Sequence, residues 1–190
     1  MDQAVLDSLQ RWPNVPAVYG WLSLDKRGRW RLHPDQGEAQ AITNKQILAF
    51  MDRNYSVDDA GCWFFQNGPQ RVYVDLLGAP LILRLDDRAQ GLRSHNGLVI
   101  GAIKQWWLDE IGQLWADTDQ GPGLVDDRDL QGVLQRLQLE DGRTLLDAES
   151  IPQAQQVQGL GSQAALTMTE QSALASALGF VARPRLDGHC

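Results

Sequence analysis

Cysteine, histidine and positive charge are scarce in this chain of 190 residues, and each scarcity removes a class of function. Two cysteines, Cys62 and Cys190, cannot form the framework of a disulfide-stapled miniprotein. The length is sufficient to bury a core without one. The three histidines, His33, His95 and His189, lie far apart, and with so few cysteines they do not complete the ligand set of a zinc site. Lysine and arginine number 17 against 24 acidic side chains, a net charge of −7. Such a field repels phosphate backbones and anionic lipid, so neither nucleic acid nor a membrane surface is an expected partner. No apolar run is long enough for a membrane-spanning helix. The start of the chain, with Asp2 and no apolar stretch, does not read as a secretory signal, which leads to the expectation of a cytoplasmic protein with two free thiols. Walker A, G-x-S-x-G and dinucleotide-binding patterns are absent, and the short GPG at 121–123 lacks their spacing.

What is present is globular: 43% of residues are hydrophobic, which is too apolar for intrinsic disorder. Seven of the aromatic residues are tryptophan, and all of them fall between Trp12 and Trp115. Ala4, Val5, Leu6 and Leu9 predict a short N-terminal helix that stops before Pro13. Alternation from Val18 to Leu32 around a turn at 26–28 predicts a hairpin. Thr43 and Gln46 form a capping box ahead of Ile47, Leu48, Phe50 and Met51, the apolar face of a helix. A second hairpin turns at Asn67-Gly68-Pro69, and Leu81–Leu85 reads as a further strand.

The later part of the chain runs through the same order. Leu24, Asp25 and Gly28 align with Leu108, Asp109 and Gly112; Thr43, Ile47 and Arg53 align with Asp126, Leu130 and Arg136. The acidic turns DDAG (58–61) and EDG (140–142) each precede an apolar strand, CWFF (62–65) and RTLL (143–146). Self-similarity of this kind predicts an α+β protein of two similar hairpin-helix-strand motifs packed together, with N-terminal and C-terminal helices. The expected divisions are 1–17 (helix and linker), 18–97 (first repeat with an extra hairpin), 98–149 (second repeat), 150–166 (a Gln- and Gly-rich linker) and 167–190. That last segment holds a helix capped by Thr167 and ended by Gly179, and then a frayed tail.

Chemistry is sparse. The segment DTDQGPGLVDDR (117–128) starts like a calcium loop, but Pro122 and Arg128 occupy the places that need Gly and Glu. No metal and no cofactor is expected. Cys62 lies in an apolar strand and reads as a structural thiol. Polar groups that turns do not explain are Asn67 at a hairpin tip, and Arg71 and Arg84 on strands, where an arginine can hold an anionic ligand bidentately.

GWLSLDKRGRWRLH, ITNKQILAF, DDAGCWFFQNGPQRVYVDLLGAPLILRL and LWADTDQGPGLVDD together resemble an uncharacterised proteobacterial family of the domain-of-unknown-function kind. More distantly their order is similar to a second such family, built of two repeated α+β motifs, for which a role in signal transduction has been suggested. The resemblance spans about residues 12–148 and implies fold; it carries over no catalytic residue. The reading is therefore a non-enzymatic ligand-binding or regulatory module whose partner is a small molecule or a protein. Its ligand is placed where the repeats meet, against Trp21 or Trp106, with Asn67, Arg71 and Arg84 as polar candidates. The alternatives are a protein–protein adaptor with exposed aromatic and arginine anchors, and an enzyme assembled from dispersed Asp residues, His33 and Cys62.

Overall fold

In a computed structural model the chain is an α+β protein with two sheets, and four helices among the described residues. The structure describes residues 1–34, 38–86, 90–148 and 154–186. It divides into two compact units, Met1–Gly78 with Gly179–Cys190, and Ala79–Leu178. The division thus falls at Gly78/Ala79, where the sequence reading put a break after residue 97.

The first unit opens with α1 (Gln3–Arg11), which ends at Trp12 as Pro13 requires. Strands β1 (Val18–Leu24), β2 (Trp30–Leu32) and β3 (Gln40–Ala41), helix α2 (Lys45–Arg53), and strands β4 (Tyr55–Val57), β5 (Trp63–Asn67) and β6 (Gln70–Leu76) follow. The strands form one sheet in the order β3-β2-β1-β6-β5-β4. The first and last strands in sequence, β1 and β6, are neighbours and parallel, whereas every other pairing is antiparallel. At the first hairpin, Asp25 accepts the amide N–H groups of Arg27 and Arg29 on one carboxylate oxygen, both at 3.0 Å. Gly28, at φ +70°, closes the turn by donating to the Asp25 carbonyl. A residue with a Cβ is disfavoured there, and the side-chain acceptor makes the turn specific to Asp.

Helix α2 starts one residue later than the capping box predicts. Asn44, not Thr43, is the cap, and its side-chain oxygen accepts from Gln46 N (2.9 Å) and Ile47 N (3.2 Å). Asn caps at least as well as Thr, so the adjacent residue takes the role. The expected frayed tail is ordered as far as it is described. Phe180 is buried, Val181 bridges to Cys62 in parallel, Ala182 accepts from Leu76 N, and Arg185 pairs with Asp75 at 2.7 Å. Cys62 is fully buried and is disulfide-bonded, not the free thiol expected; Cys190 and His189 lie outside the described residues.

The second unit comprises β7 (Leu81–Asp86), β8 (Gly91–Ser94), β9 (Val99–Ile100), β10 (Ile103–Asp109), β11 (Leu114–Thr118), β12 (Gly121–Val125), α3 (Leu130–Arg136), β13 (Gln138–Leu139), β14 (Ala154–Gly159), β15 (Ser162–Thr169) and α4 (Gln171–Ala177). Its sheet runs β13-β14-β15-β10-β11-β12-β7-β8-β9. From β12 to β13 the pairings follow the order of β3 to β4 in the first unit, including the parallel neighbours β10 and β15. Strands β7, β8 and β9 are added beyond β12. Asp109 and Gly112 build the same hairpin turn as Asp25 and Gly28, with Asp109 accepting from Ile111 N and Gln113 N.

Four expectations fail in this unit for local reasons. The linker at 150–166 is, over 154–166, part of the hairpin β14–β15; Gln156, Gln158 and Gln163 are exposed while Val157, Ala164 and Leu166 are buried. Gln155 and the small Ala164 share the inner face with Val157 and Leu166, so the apolar alternation is weak. Residues 143–146, read as a strand, form a turn with a single bridge at Thr144, so β14 stands where that strand was expected. Thr167 lies in β15 and accepts from Gln105; α4 instead begins after Glu170. Asp126 likewise does not cap α3, whose cap position is Asp129.

Five of the seven tryptophans, Trp30, Trp63, Trp106, Trp107 and Trp115, are buried in the sheets. Two of them donate to carboxylates at 3.0 Å, Trp30 to Asp52 and Trp115 to Asp109. Trp12 and Trp21 are the exposed pair.

Candidate functional site

In the first unit, helix α2 lies over the sheet without covering it completely. Between them runs a groove of about 560 Å³. Leu22 and Val72 form the sheet wall, Ile47, Phe50 and Met51 the helix wall, and Phe65 part of the floor. Trp21 and Leu32 stand at the rim with Ile47, and all three are more than one-third exposed. The pairing of β1 with β6 slips between Val18 and Leu22, so four residues of β1 span two of β6. A bulge of this kind re-aims the side chains within and next to it, and Trp21 lies inside it. At the far end, Asn67 and Gln70 close the β5–β6 hairpin as a cross-strand pair and supply neutral amide groups. No charged side chain lines the groove among the described residues.

The second unit treats the same place differently. Leu22 faces Leu32 on one side and Val74 on the other; the residue paired in that way in the second unit, with Ala116 and Leu166, is Trp106. Its indole is only 1% exposed. At the equivalent of Asn67 stands Gly159, where an added Cβ would lie 2.0 Å from the Arg136 carbonyl oxygen. The end of α3 therefore approaches the hairpin closely at Gly159, and the position equivalent to Leu22 carries a buried tryptophan.

The five residues singled out from sequence separate accordingly. Trp21 and Asn67 line the groove. Arg71 does not: it alternates with Gln70 and Val72, so its side chain leaves the other face of the sheet. There it stacks 3.9 Å from the Phe64 ring and approaches Asp58 at 3.8 Å, while the Tyr73 hydroxyl donates to the same carboxylate at 2.8 Å. Trp106 is core, and so is not available as a ligand wall. Arg84 donates to the buried Asp126 at 3.2 Å.

The sequence matches, over residues 1–185, the model of the family DUF2944, described as "Protein of unknown function (DUF2946)". The chain belongs to that family. No curated protein matches this DUF2944 chain. Two solved structures are similar to it. A DUF1285 family protein from Silicibacter pomeroyi DSS-3 has a TM-score of 0.52 at 14% identity, over 84% of this chain and 86% of its own. A DUF1285 family protein from Shewanella baltica OS155 has a TM-score of 0.42 at 15% identity, over 60% of this chain and 91% of its own. The first likeness establishes a shared fold between DUF2944 and DUF1285 and nothing about activity.

A second depression in the DUF2944 chain, of about 420 Å³, lies in the second unit beside Arg84, Arg93 and His95. Its arginines are matched by carboxylates, Arg84 by Asp126 and Arg93 by Asp86 at 2.8 Å. Burial by itself would raise the Asp126 pKa, but hydrogen bonds from the Arg128 side chain and backbone and from Arg84 outweigh it and hold the carboxyl well below the usual carboxylate range. Burial, with the Arg84 charge nearby, pushes the His95 imidazole down to about 3. Among the described residues, each arginine lining this depression is thus paired with a carboxylate. The dispersed groups of the enzyme alternative do not converge. Cys62 is buried, and His33 Nε2 shares a 2.8 Å hydrogen bond with the buried Ser23, but neither of those two lines the groove or the depression. Among the described residues no three His, Cys, Asp or Glu side chains cluster as a metal set, and no helix is long and apolar enough to cross a membrane.

Sequence reasoning missed Leu22, Phe50 and Phe65 as groove residues. Their apolar periodicity is the ordinary mark of core, and no local signal tells a covered face from a partly covered one.

Proposed function

We propose that the protein is a non-enzymatic ligand-binding module, regulatory in the sense that occupancy and not turnover is its output, and that its ligand sits in the groove under α2. The observation that carries this reading is the 560 Å³ groove, of the size and apolar lining typical of small-molecule sites, with its few polar groups gathered at one end. The two units are read as copies of one motif, a reading supported by their common order of strand pairings and their matched Asp-x-x-Gly turns. On that reading one copy keeps the groove and the other has filled it. A place in signal transduction completes the proposal, with neither nucleic acid nor membrane as partner given the acidic balance.

The test uses the neutral dye Nile red, whose fluorescence rises in apolar sites. Leu22→Trp copies the residue that fills the second unit and is expected to lower dye affinity at least tenfold while leaving the folding transition cooperative. Ile47→Arg, at an exposed rim position, is expected to do the same without touching the core. Unchanged dye binding in both folded variants would overturn the assignment. The adaptor reading draws on the exposure of Trp21, Leu32 and Ile47, a grouping of the kind that anchors interfaces.

A further inference from the structure

Resting on that reading, we infer that the groove selects an uncharged ligand: a largely apolar molecule carrying a single neutral hydrogen-bonding head, such as a primary amide, with the head at the Asn67–Gln70 end. Two observations lead there. Among the described residues the lining offers no ion of either sign; its polar side chains are the amides of Asn67 and Gln70 and the indole of Trp21. A carboxylate or ammonium taken into such a site loses its hydration with no counter-charge, so it is disfavoured against an amide of the same shape. An amide side chain presents both a donor and an acceptor, which matches a neutral head that also has both. The acceptor and donor pair stands on a cross-strand pair of a tight hairpin, at the end of the groove away from the helix start.

The second observation comes from the same fold within the same chain. At the position equivalent to Leu22 the second unit carries Trp106, an uncharged ring system with one N–H, at 1% exposure. The place in the motif thus accommodates apolar bulk and does so without an ion.

The experiment competes three ligands of equal chain length, octanamide, octanoate and octylammonium, against Nile red on the full chain at pH 7. The amide is expected to bind at least tenfold more tightly than either ion. Asn67→Leu, at an exposed position, is expected to reduce that preference severalfold, read as the ratio of amide to ion affinity within the variant. Equal affinity for all three, or tightest binding by an ion, overturns the inference and leaves the binding module standing. Failure of the dye and of all three ligands to bind overturns both.

Discussion

His95 illustrates how a single residue can report on the second unit. Its Nδ1 accepts the Ile82 amide at 3.2 Å and its own amide donates back to the Ile82 carbonyl at 2.7 Å, so the ring is built into the β7–β8 ladder as a neutral acceptor. Protonation would place a charge in a buried site and near Arg84, which is why the folded-state pKa lies at about 3 against 6.5 for a free imidazole. A histidine with a depressed pKa stabilises fully above the unfolded value and loses that contribution as pH falls from about 6.5 towards 3. Wild type is accordingly expected to lose about 2 kcal/mol of unfolding free energy between pH 7 and pH 5. His95→Gln keeps an acceptor without a titrating ring, and its urea-denaturation free energy should be nearly flat across the same interval. An equal drop in the two proteins would show that the imidazole is not responsible.

Elements in this chain were legible where turn chemistry defines them and obscure where packing does. Asp25 with Gly28, Asp58 with Gly61 and Asp109 with Gly112 mark hairpins because the acceptor and the permissive backbone lie in the same few residues. The hairpin β14–β15 was hidden because its inner face mixes the polar Gln155 and the small Ala164 with Val157 and Leu166, which leaves weak periodicity. The open groove was illegible for a related reason: Leu22 and Trp106 are both apolar strand residues, and only the packed structure separates the one that leaves space from the one that fills it. Two of the five candidate residues nonetheless fall in the groove, Trp21 through its exposure beside a bulge and Asn67 through its hairpin tip. Close seating of α3 on Gly159 carries its own prediction. Gly159→Ala would drive a methyl into the Arg136 carbonyl and is expected to cost about 3 kcal/mol. The exposed neighbour Gln158→Ala should stay within about 0.5 kcal/mol of wild type. Thermal denaturation of the pair distinguishes a packing effect from a general weakness of the hairpin.

At the scale of the whole molecule, the two units differ in continuity. Ala79–Leu178 is one uninterrupted segment, whereas the first unit takes residues from both sides of it. Phe180, the Val181–Cys62 bridge, the Leu76–Ala182 hydrogen bond and the Arg185–Asp75 ion pair all join the later segment to the first unit's sheet. A fragment of residues 79–178 is therefore expected to unfold cooperatively by itself. A fragment of residues 1–78 is expected to lack a cooperative transition under the same conditions, read by circular dichroism on heating. Cooperative unfolding of the shorter fragment would mean that the later segment only decorates the sheet.

That discontinuity also orders events in time. Synthesis delivers all of the first unit's strands before any of the second's, yet the segment that covers Cys62 follows residue 178. The parallel pairing of β1 with β6 already joins residues far apart in sequence, a topology that forms slowly because loop closure precedes its reward. Nascent chains should thus complete the second unit first and the first unit afterwards, the reverse of the usual N-to-C progression. Until then the apolar groove and its unfinished sheet stand open on the ribosome, so the interval in which this protein is most exposed to aggregation or chaperone capture spans translation of its entire second half.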